Sequence, residues 1–344
     1  MAKYTALPQA DPDRFFVAKR EPQRPHGPMV SILLLTMFLF AIFITTMIWP
    51  MINPEARPLP VLSYYPYSDI VGLVITSFMF AMFLINFSLT VVTDPGRVPK
   101  AFPWDPNQSD PTAQEFFIPT SSQGLRGVER KLDGRTRFCK KCNCYKPDRT
   151  HHCRKLGTCV LQMDHWCPWM RQTIGYFNRK YFFLTLTYAI ASLICYLIVL
   201  GPYVVSGVTH PQNGLDYLLV ISYILAGMEL VLLLSFWGFH LFLTVHSFTT
   251  IEFREKHRAS EGTIKLQSGE KVRDLYKDSL YDLGTKNAFY QLLGPYVLLW
   301  LIPTRYGMDV DPTRDGIVFP TKPDHPLLEQ TSFKITSGEE LQVE

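Results

Sequence analysis

The chain has 344 residues, 47% hydrophobic and 14% aromatic, with a formal charge of +4 at pH 7. Length alone allows two soluble domains or one membrane domain with appendages, so the distribution of apolar residues decides between them. A charge this small over so long a chain makes no case for a nucleic-acid partner.

Residues 1–28 are proline-rich without an apolar period, which reads as an irregular arm. Apolar stretches follow at 29–52, 70–93, 181–205 and 216–247. Each is at least as long as the ~20 residues a helix needs to cross a hydrocarbon core. The first carries no charge, the fourth has Glu229 near its middle, and the breaks between them are rich in Pro, Gly and Asn. The expected architecture is an α-helical integral membrane protein with four transmembrane helices. The first stretch lacks a small-residue cleavage signature and reads as a retained helix.

All but one of the 34 Lys and Arg residues fall in 1–29, 94–180 and 248–344. The positive-inside rule then makes both termini and the 94–180 segment cytosolic, and leaves 53–69 and 206–216 as short lumenal or extracellular connections. The predicted parts are a cytosolic arm (1–28), helices 1 and 2 (29–93), a cytosolic cysteine-rich domain (94–180), helices 3 and 4 (181–247) and a cytosolic C-terminal region (248–344). Endoplasmic reticulum, Golgi, vacuole and plasma membrane all fit. Residues 101–135 read as a polar linker, in which "NQS" at 107–109 is a glycosylation acceptor that a cytosolic location would silence. Residues 254–280 are charged and mixed, and 325–344 read as a disordered tail. "NAFYQLLGPYVLLWLIP" (287–303) is apolar but cut by Gly294-Pro295, and is expected to pack on the membrane face.

Six of the seven cysteines, Cys139, Cys142, Cys144, Cys153, Cys159 and Cys167, fall within 29 residues of the cytosolic segment. A reducing compartment turns such a cluster away from disulfides and toward metal binding or thiol chemistry. Cys195, within the third apolar stretch, reads as a small buried hydrophobe. In "FCKKCNCYKPDRTHHCRKLGTC" the Cys139-x2-Cys142 pair can form a zinc knuckle, with His151 or His152 and Cys153 or Cys159 downstream. Zinc binding can supply on the order of 10 kcal/mol toward folding a segment with little core of its own. In "MDHWCPW" (163–169), Cys167 follows His165 by two residues, and Asp164 precedes both. An imidazole lowers a thiol's pKa, and a carboxylate can fix the imidazole's tautomer. Residue types alone leave Cys167 open as a nucleophile or as a further zinc ligand.

The stretch "FCKKCNCYKPDRTHHCRKLGTCVLQMDHWCPWMRQTIGYFNRKYFF" (138–183) resembles the cysteine-rich core of the Asp-His-His-Cys protein S-acyltransferases, the integral-membrane palmitoyltransferases. "DPG" (94–96), "TTIE" (249–252), "YDLGTKNAFYQLLG" (281–294) and "WLIP" (300–303) resemble the family's other motifs in the expected order. The resemblance covers roughly 30–303. It implies that Cys167 is the nucleophile, His165 its base and Asp164 the orienting carboxylate. One structural zinc would be held by Cys139, Cys142, His152 and Cys159. Of the four positions of the family's second zinc site only Cys153 remains, the others being Leu156, Trp166 and Thr173. One zinc per chain is therefore expected, with Leu and Trp filling the volume and Cys144 too little to complete a site with Cys153. A threonine of Thr249 and Thr250 is implied to bond Asp164, and Asn287 to tie the C-terminal segment to that corner.

The implied reaction moves a long-chain acyl group from acyl-coenzyme A, through Cys167, to cysteines of membrane or membrane-proximal proteins. The chain would lie among the helices, where Ala191 and Ser192 sit ~16 Å into the third span at 1.5 Å per residue. Arg171, Arg179 and Lys180 are candidate contacts for the coenzyme A phosphates at the cytosolic rim. Glu229 is expected to face the bundle. The rival expectation is an inactive membrane scaffold whose zinc module docks partners.

Overall fold

The structure, a computed structural model, describes residues 27–52, 66–98, 129, 137–209, 217–261, 279–304, 316–317 and 319–322. Most of the N-terminal arm, the 101–135 linker except Glu129, the "NQS" site, residues 262–278 and the C-terminal tail lie outside these.

In lipid a backbone can satisfy its polar groups only internally, so long apolar runs become helices. They are α1 (Gly27–Ile52) and α2 (Pro66–Val92) before the cysteines, and α3 (Arg179–Thr209) and α4 (Tyr217–Val245) after them. Three stretches are long and apolar enough to cross a membrane: Ile70–Val92, Arg179–Thr209 and Tyr217–Val245. In α1 the apolar stretch among the described residues is the shorter Leu33–Ile48, so the described residues hold three candidate spans where the sequence led to four.

Helix α2 packs on α3, and α3 on α4, with α1 against α4 and α2. One apolar cluster joins Phe80, Phe83 and Phe87 of α2 to Phe182, Leu184, Leu186 and Tyr188 of α3. A second, toward the other end of the bundle, holds Phe43 and Met47 of α1 with Tyr196, Leu200 and Tyr203 of α3 and Leu219 and Ala226 of α4. Polar groups inside the bundle pair with one another: Tyr196 donates to Ser222 Oγ at 2.7 Å, and Trp237 Nε1 to Thr187 Oγ1 at 3.1 Å. Val74, Ile198, Val231 and Leu232 point outward and are exposed. A surface of that kind is at home in an apolar solvent.

Between α2 and α3 lie three antiparallel hairpins: β1 (Phe138–Cys139) with β2 (Cys144–Tyr145), β3 (His151–Cys153) with β4 (Thr158–Val160), and β5 (His165–Cys167) with β6 (Gln172–Ile174). Their seat is the end of α2. Asp94 Oδ1 accepts from the amides of Gly96 and Arg97, which turns the chain just past the helix. Gly96 takes φ +100°, a region that glycine enters without strain. From that turn Gly96 O accepts from Leu161 N at 2.8 Å, and Val98 N donates to Cys159 O at 2.9 Å. A Cβ on Gly175 would stand 2.4 Å from the Pro95 carbonyl oxygen, so no side chain fits there. Asn178 donates to the carbonyls of Thr90 and Thr173 and accepts from Gly175 N, and Gln172 Nε2 donates to Val91 O. The third hairpin is thus pinned to the membrane helix.

After α4 the chain turns at Ser247 (φ +55°) into α5 (Thr250–Glu261). "TTIE" is a capping box in structure: Glu252 N donates to Thr249 Oγ1 at 3.2 Å, and Thr249 N donates to Glu252 Oε2 at 2.7 Å. Helix α6 (Thr285–Leu293) packs Leu292 and Leu293 against Phe183, beside Trp237, Leu241 and Trp300. A 3-10 turn, Val297–Leu299, follows, with Tyr296, Val297 and Leu298 exposed.

Candidate active site and metal centre

Alternation along β5 sets the site. Side chains two apart in a strand share a face, so His165 and Cys167 lie on one side and Trp166 on the other. The thiol of Cys167 is buried and belongs to the same apolar cluster as Phe80, Phe83 and Phe87. Sulfur chemistry therefore sits at the mouth of the helix bundle, against its apolar interior.

Asp164 is fully buried and accepts three hydrogen bonds. His165 Nδ1 donates to Oδ2 at 2.7 Å, Thr250 Oγ1 to Oδ2 at 2.8 Å, and Thr250 N to Oδ1 at 2.9 Å. Burial would raise its pKa, but the hydrogen bond and charge of His165 overcome this and hold the carboxyl well below the usual range. Burial would likewise favour neutral His165, yet the bonds to Asp164 and Cys167 lift it to about 9. With Nδ1 committed to the aspartate, the buried Nε2 has no hydrogen-bond partner among the described residues. The arrangement sets a buried thiol and a carboxylate-held imidazole on one face of the strand.

The sulfur and nitrogen ligand atoms of Cys139, Cys142, His152 and Cys159 all lie within 4.8 Å of one another. His152 Nδ1 is 3.2 Å from Cys142 Sγ and 3.6 Å from Cys139 Sγ. Three thiols and an imidazole converging from two hairpins are the donor set that a tetrahedral zinc ion takes. His151 is turned away: burial and the neighbouring Arg137 push its pKa down to about 3, and its Nε2 lies 3.3 Å from Arg137 Nη2. Cys144 pairs across the strand from Cys139 and packs with Cys139 and Cys159.

On the reverse face of β5, Trp166, Leu156 and Ile251 pack against Cys153, Val160 and Met163. Cys153 Sγ lies 3.1 Å from Thr173 Oγ1, and Thr173 is the cross-strand partner of Trp166. An apolar plug, with α5 contributing Ile251, occupies this corner.

The expected threonine contact to Asp164 is present, and other expected contacts differ. Of the two threonines, Thr250 bonds Asp164, whereas Thr249 caps α5. Asn287 is exposed and donates to Leu283 O one turn back at 2.8 Å, because it falls on the outer face of α6. Arg179 and Lys180 both have protein partners. Arg179 Nη2 donates to Phe248 O at 3.1 Å, and the buried Lys180 donates to Leu299 O and Thr304 Oγ1. Both cations are used to tie α3 to the segments after α4. Arg171 is half-buried at the tip of the third hairpin, with φ +48°. Ser192 is buried and returns its hydroxyl to Ala189 O. Glu229 is partly buried, and its Oε2 has no hydrogen-bond partner.

Two features escaped the sequence. Arg149, fully buried, pairs with Glu252 through Nε–Oε1 and Nη2–Oε2, both 2.7 Å, donates to Ser247 O, and stacks 4.5 Å from the Tyr281 ring centroid. No local pattern marks a partner more than a hundred residues away. His240 of α4 brings Nδ1 to 4.0 Å from Asp164 Oδ2 and its ring centroid to 5.5 Å from that of His165. Its signal was available: an ionisable side chain in an apolar run.

Residues 133–257 match the family model described as DHHC palmitoyltransferase. Probable protein S-acyltransferase 14 from Arabidopsis thaliana is 33% identical over 264 residues, 73% of this chain and 78% of the relative. Palmitoyltransferase ZDHHC15 from Xenopus laevis is 30% identical over 255 residues, 71% and 70% of the two chains. Palmitoyltransferase ZDHHC2 from Homo sapiens is 27% identical over 283 residues, 75% and 72%. With the family model and relatives covering about 73% of the chain agreeing, the chain belongs to the DHHC palmitoyltransferase family. It is an acyltransferase that places palmitoyl groups on protein cysteines.

Proposed function

We propose that Cys167 carries the acyl group between palmitoyl-coenzyme A and the protein substrate, with His165 as its base and Asp164 as the orienting carboxylate. The observation that supports this most directly is the placement of His165 and Cys167 on one face of β5, with the thiol in the apolar cluster of α2 and α3 and the imidazole held by Asp164. In the first step the Cys167 thiolate attacks the thioester carbonyl, the bond to coenzyme A sulfur breaks, and that sulfur takes the proton held on His165. In the second, a substrate cysteine gives its proton to His165 and attacks the acyl carbon, releasing the Cys167 thiolate. This is two-step covalent catalysis. One thioester replaces another, so no energy source beyond acyl-coenzyme A is required.

The acyl chain occupies the bundle, each buried CH₂ contributing ~0.8 kcal/mol. Ala191 and Ser192 leave room at depth through their small size, the Ser192 hydroxyl being used within its own helix. Arg171, at the tip of the third hairpin, meets the coenzyme A phosphates. One zinc is bound by Cys139, Cys142, His152 and Cys159, and its contribution is to fold the first two hairpins. The "DHWC" sequence marks a variant whose second metal site is replaced by the Trp166–Leu156 plug. The chain spans the membrane four times with both termini cytosolic, and the 287–303 segment lies on the membrane face.

The test is incubation of purified protein with labelled palmitoyl-coenzyme A followed by hydroxylamine. Hydroxylamine-sensitive label on Cys167 that disappears in His165→Ala supports the reading. Label that persists in that variant, or that requires another transferase, overturns it in favour of acylation in trans.

A further inference from the structure

We infer that His240, on membrane helix α4, is a positioning residue for acyl transfer, its Nδ1 edge steadying the Asp164–His165 pair from the bundle side. The inference rests on the reading of His165 and Asp164 given above. Three protein elements meet at the Asp164 carboxylate: β5 through His165, α5 through Thr250, and α4 through His240. Apart from Glu229 near its middle, helix α4 carries no other charged or imidazole side chain, and a histidine is a costly choice in such a span unless the imidazole has a use.

The surroundings separate what a ring does there from what a nitrogen does. The His240 ring is walled edge-to-face by Phe182 at 5.0 Å, Phe236 at 4.6 Å and Phe239 at 5.7 Å between centroids. Phenylalanine would satisfy those three neighbours. What phenylalanine would not supply is the polar edge facing Asp164 Oδ2 at 4.0 Å. That distance is too long for a hydrogen bond. Oδ2 already accepts from His165 and Thr250, so His240 acts on it as an oriented N–H dipole in an apolar, weakly screening setting. Among the described residues, the charged or titratable groups acting on His240 are Asp164, His165 and Arg179, and of these the carboxylate is the anion. Holding that carboxylate holds the His165 ring, and the ring's Nε2 is the atom that must reach the thiol.

The experiment compares His240→Phe, His240→Asn and His240→Gln in the purified full-length chain. Asn places its amide near the position of Nδ1, and Gln near Nε2. The readouts are the rate of Cys167 autoacylation with palmitoyl-coenzyme A, the pH profile of Cys167 alkylation, and thermal unfolding. The expected result is a loss of about ten- to a hundredfold in Phe, the cost of a slightly misplaced catalytic group. The alkylation profile should shift in Phe, unfolding should stay as in wild type, and Asn should recover more activity than Gln. Autoacylation in Phe equal to wild type, or Asn no better than Gln, would overturn the inference. His165→Ala run alongside separates the two levels: if it retains full activity the site reading itself fails, and if it is dead while Phe is normal only the role of His240 fails.

Discussion

Thr250 holds Asp164 by two atoms at once, its backbone N–H on Oδ1 and its hydroxyl on Oδ2. The first turn of α5 thus closes on the carboxylate from a point 86 residues downstream, and the positive end of the helix adds to the attraction. Thr250→Val keeps the shape and the N–H but loses the hydroxyl bond. We expect autoacylation to fall about tenfold or more, with metal content unchanged. Thr249→Ala acts differently: it removes the cap of α5 and costs about 1 kcal/mol of stability, readable as a lower unfolding midpoint.

Arg149 and Glu252 form the buried link between the hairpin domain and α5. Burial alone would raise the Glu252 pKa, but Arg149 overrides it and keeps the carboxylate charged. Arg149→Ala strands that charge and is expected to cost about 3–5 kcal/mol, with loss of activity following loss of fold. Arg149→Lys keeps the charge but not the two-pronged geometry, so it should lie between the two in thermal unfolding.

Metal analysis of the purified chain is expected to return one zinc. Cys159→Ser should lose it and unfold the first two hairpins. Trp166→His should not raise the count, since Leu156 and Thr173 offer no thiolate there, and should destabilise by opening a cavity behind β5. Two zinc ions in the wild-type protein would overturn the plug.

The ion pair of Asp164 and His165 has a defined pH window. His165 is raised from 6.5 to about 9 on folding, so its contribution is complete below 6.5 and is lost as pH rises through 9. Asp164 is lowered, so its contribution is present above its ordinary value of 3.8 and is lost as pH falls below it. The difference in unfolding midpoint between wild type and His165→Ala should therefore be full below about pH 6.5, shrink as pH rises from there toward 9, and be gone above it. A difference that grows with alkalinity would contradict the pairing.

Much of this protein can be read along the chain. Apolar runs of spanning length become helices wherever they occur, because lipid gives their backbones no other partner. The knuckle spacing of Cys139 and Cys142 and the His-x-Cys step of 165–167 are local, and a strand or turn presents them as expected. The choice of His152 over His151, and of Cys159 over Cys153, is decided by register: β3 and β4 pair His152 opposite Cys159. Residue types leave those choices open.

What the sequence by itself determined was the set of elements and the chemistry they carry: apolar helices, a thiol-rich insert between them, and a carboxylate, imidazole and thiol in four consecutive residues. What only the tertiary structure decided was which distant groups complete them. The sequence made Arg179 and Lys180 look like rim cations, and the fold ties Arg179 to the Phe248 carbonyl and buries Lys180 against Leu299 O and Thr304 Oγ1. The Asp164 corner is closed by Thr250 and faced by His240, and Arg149 finds Glu252 across 103 positions. Such pairings depend on how helices and hairpins stack, and a side chain's sequence neighbours carry no record of that. A buried charge must find a partner, but only packing determines which one is within reach.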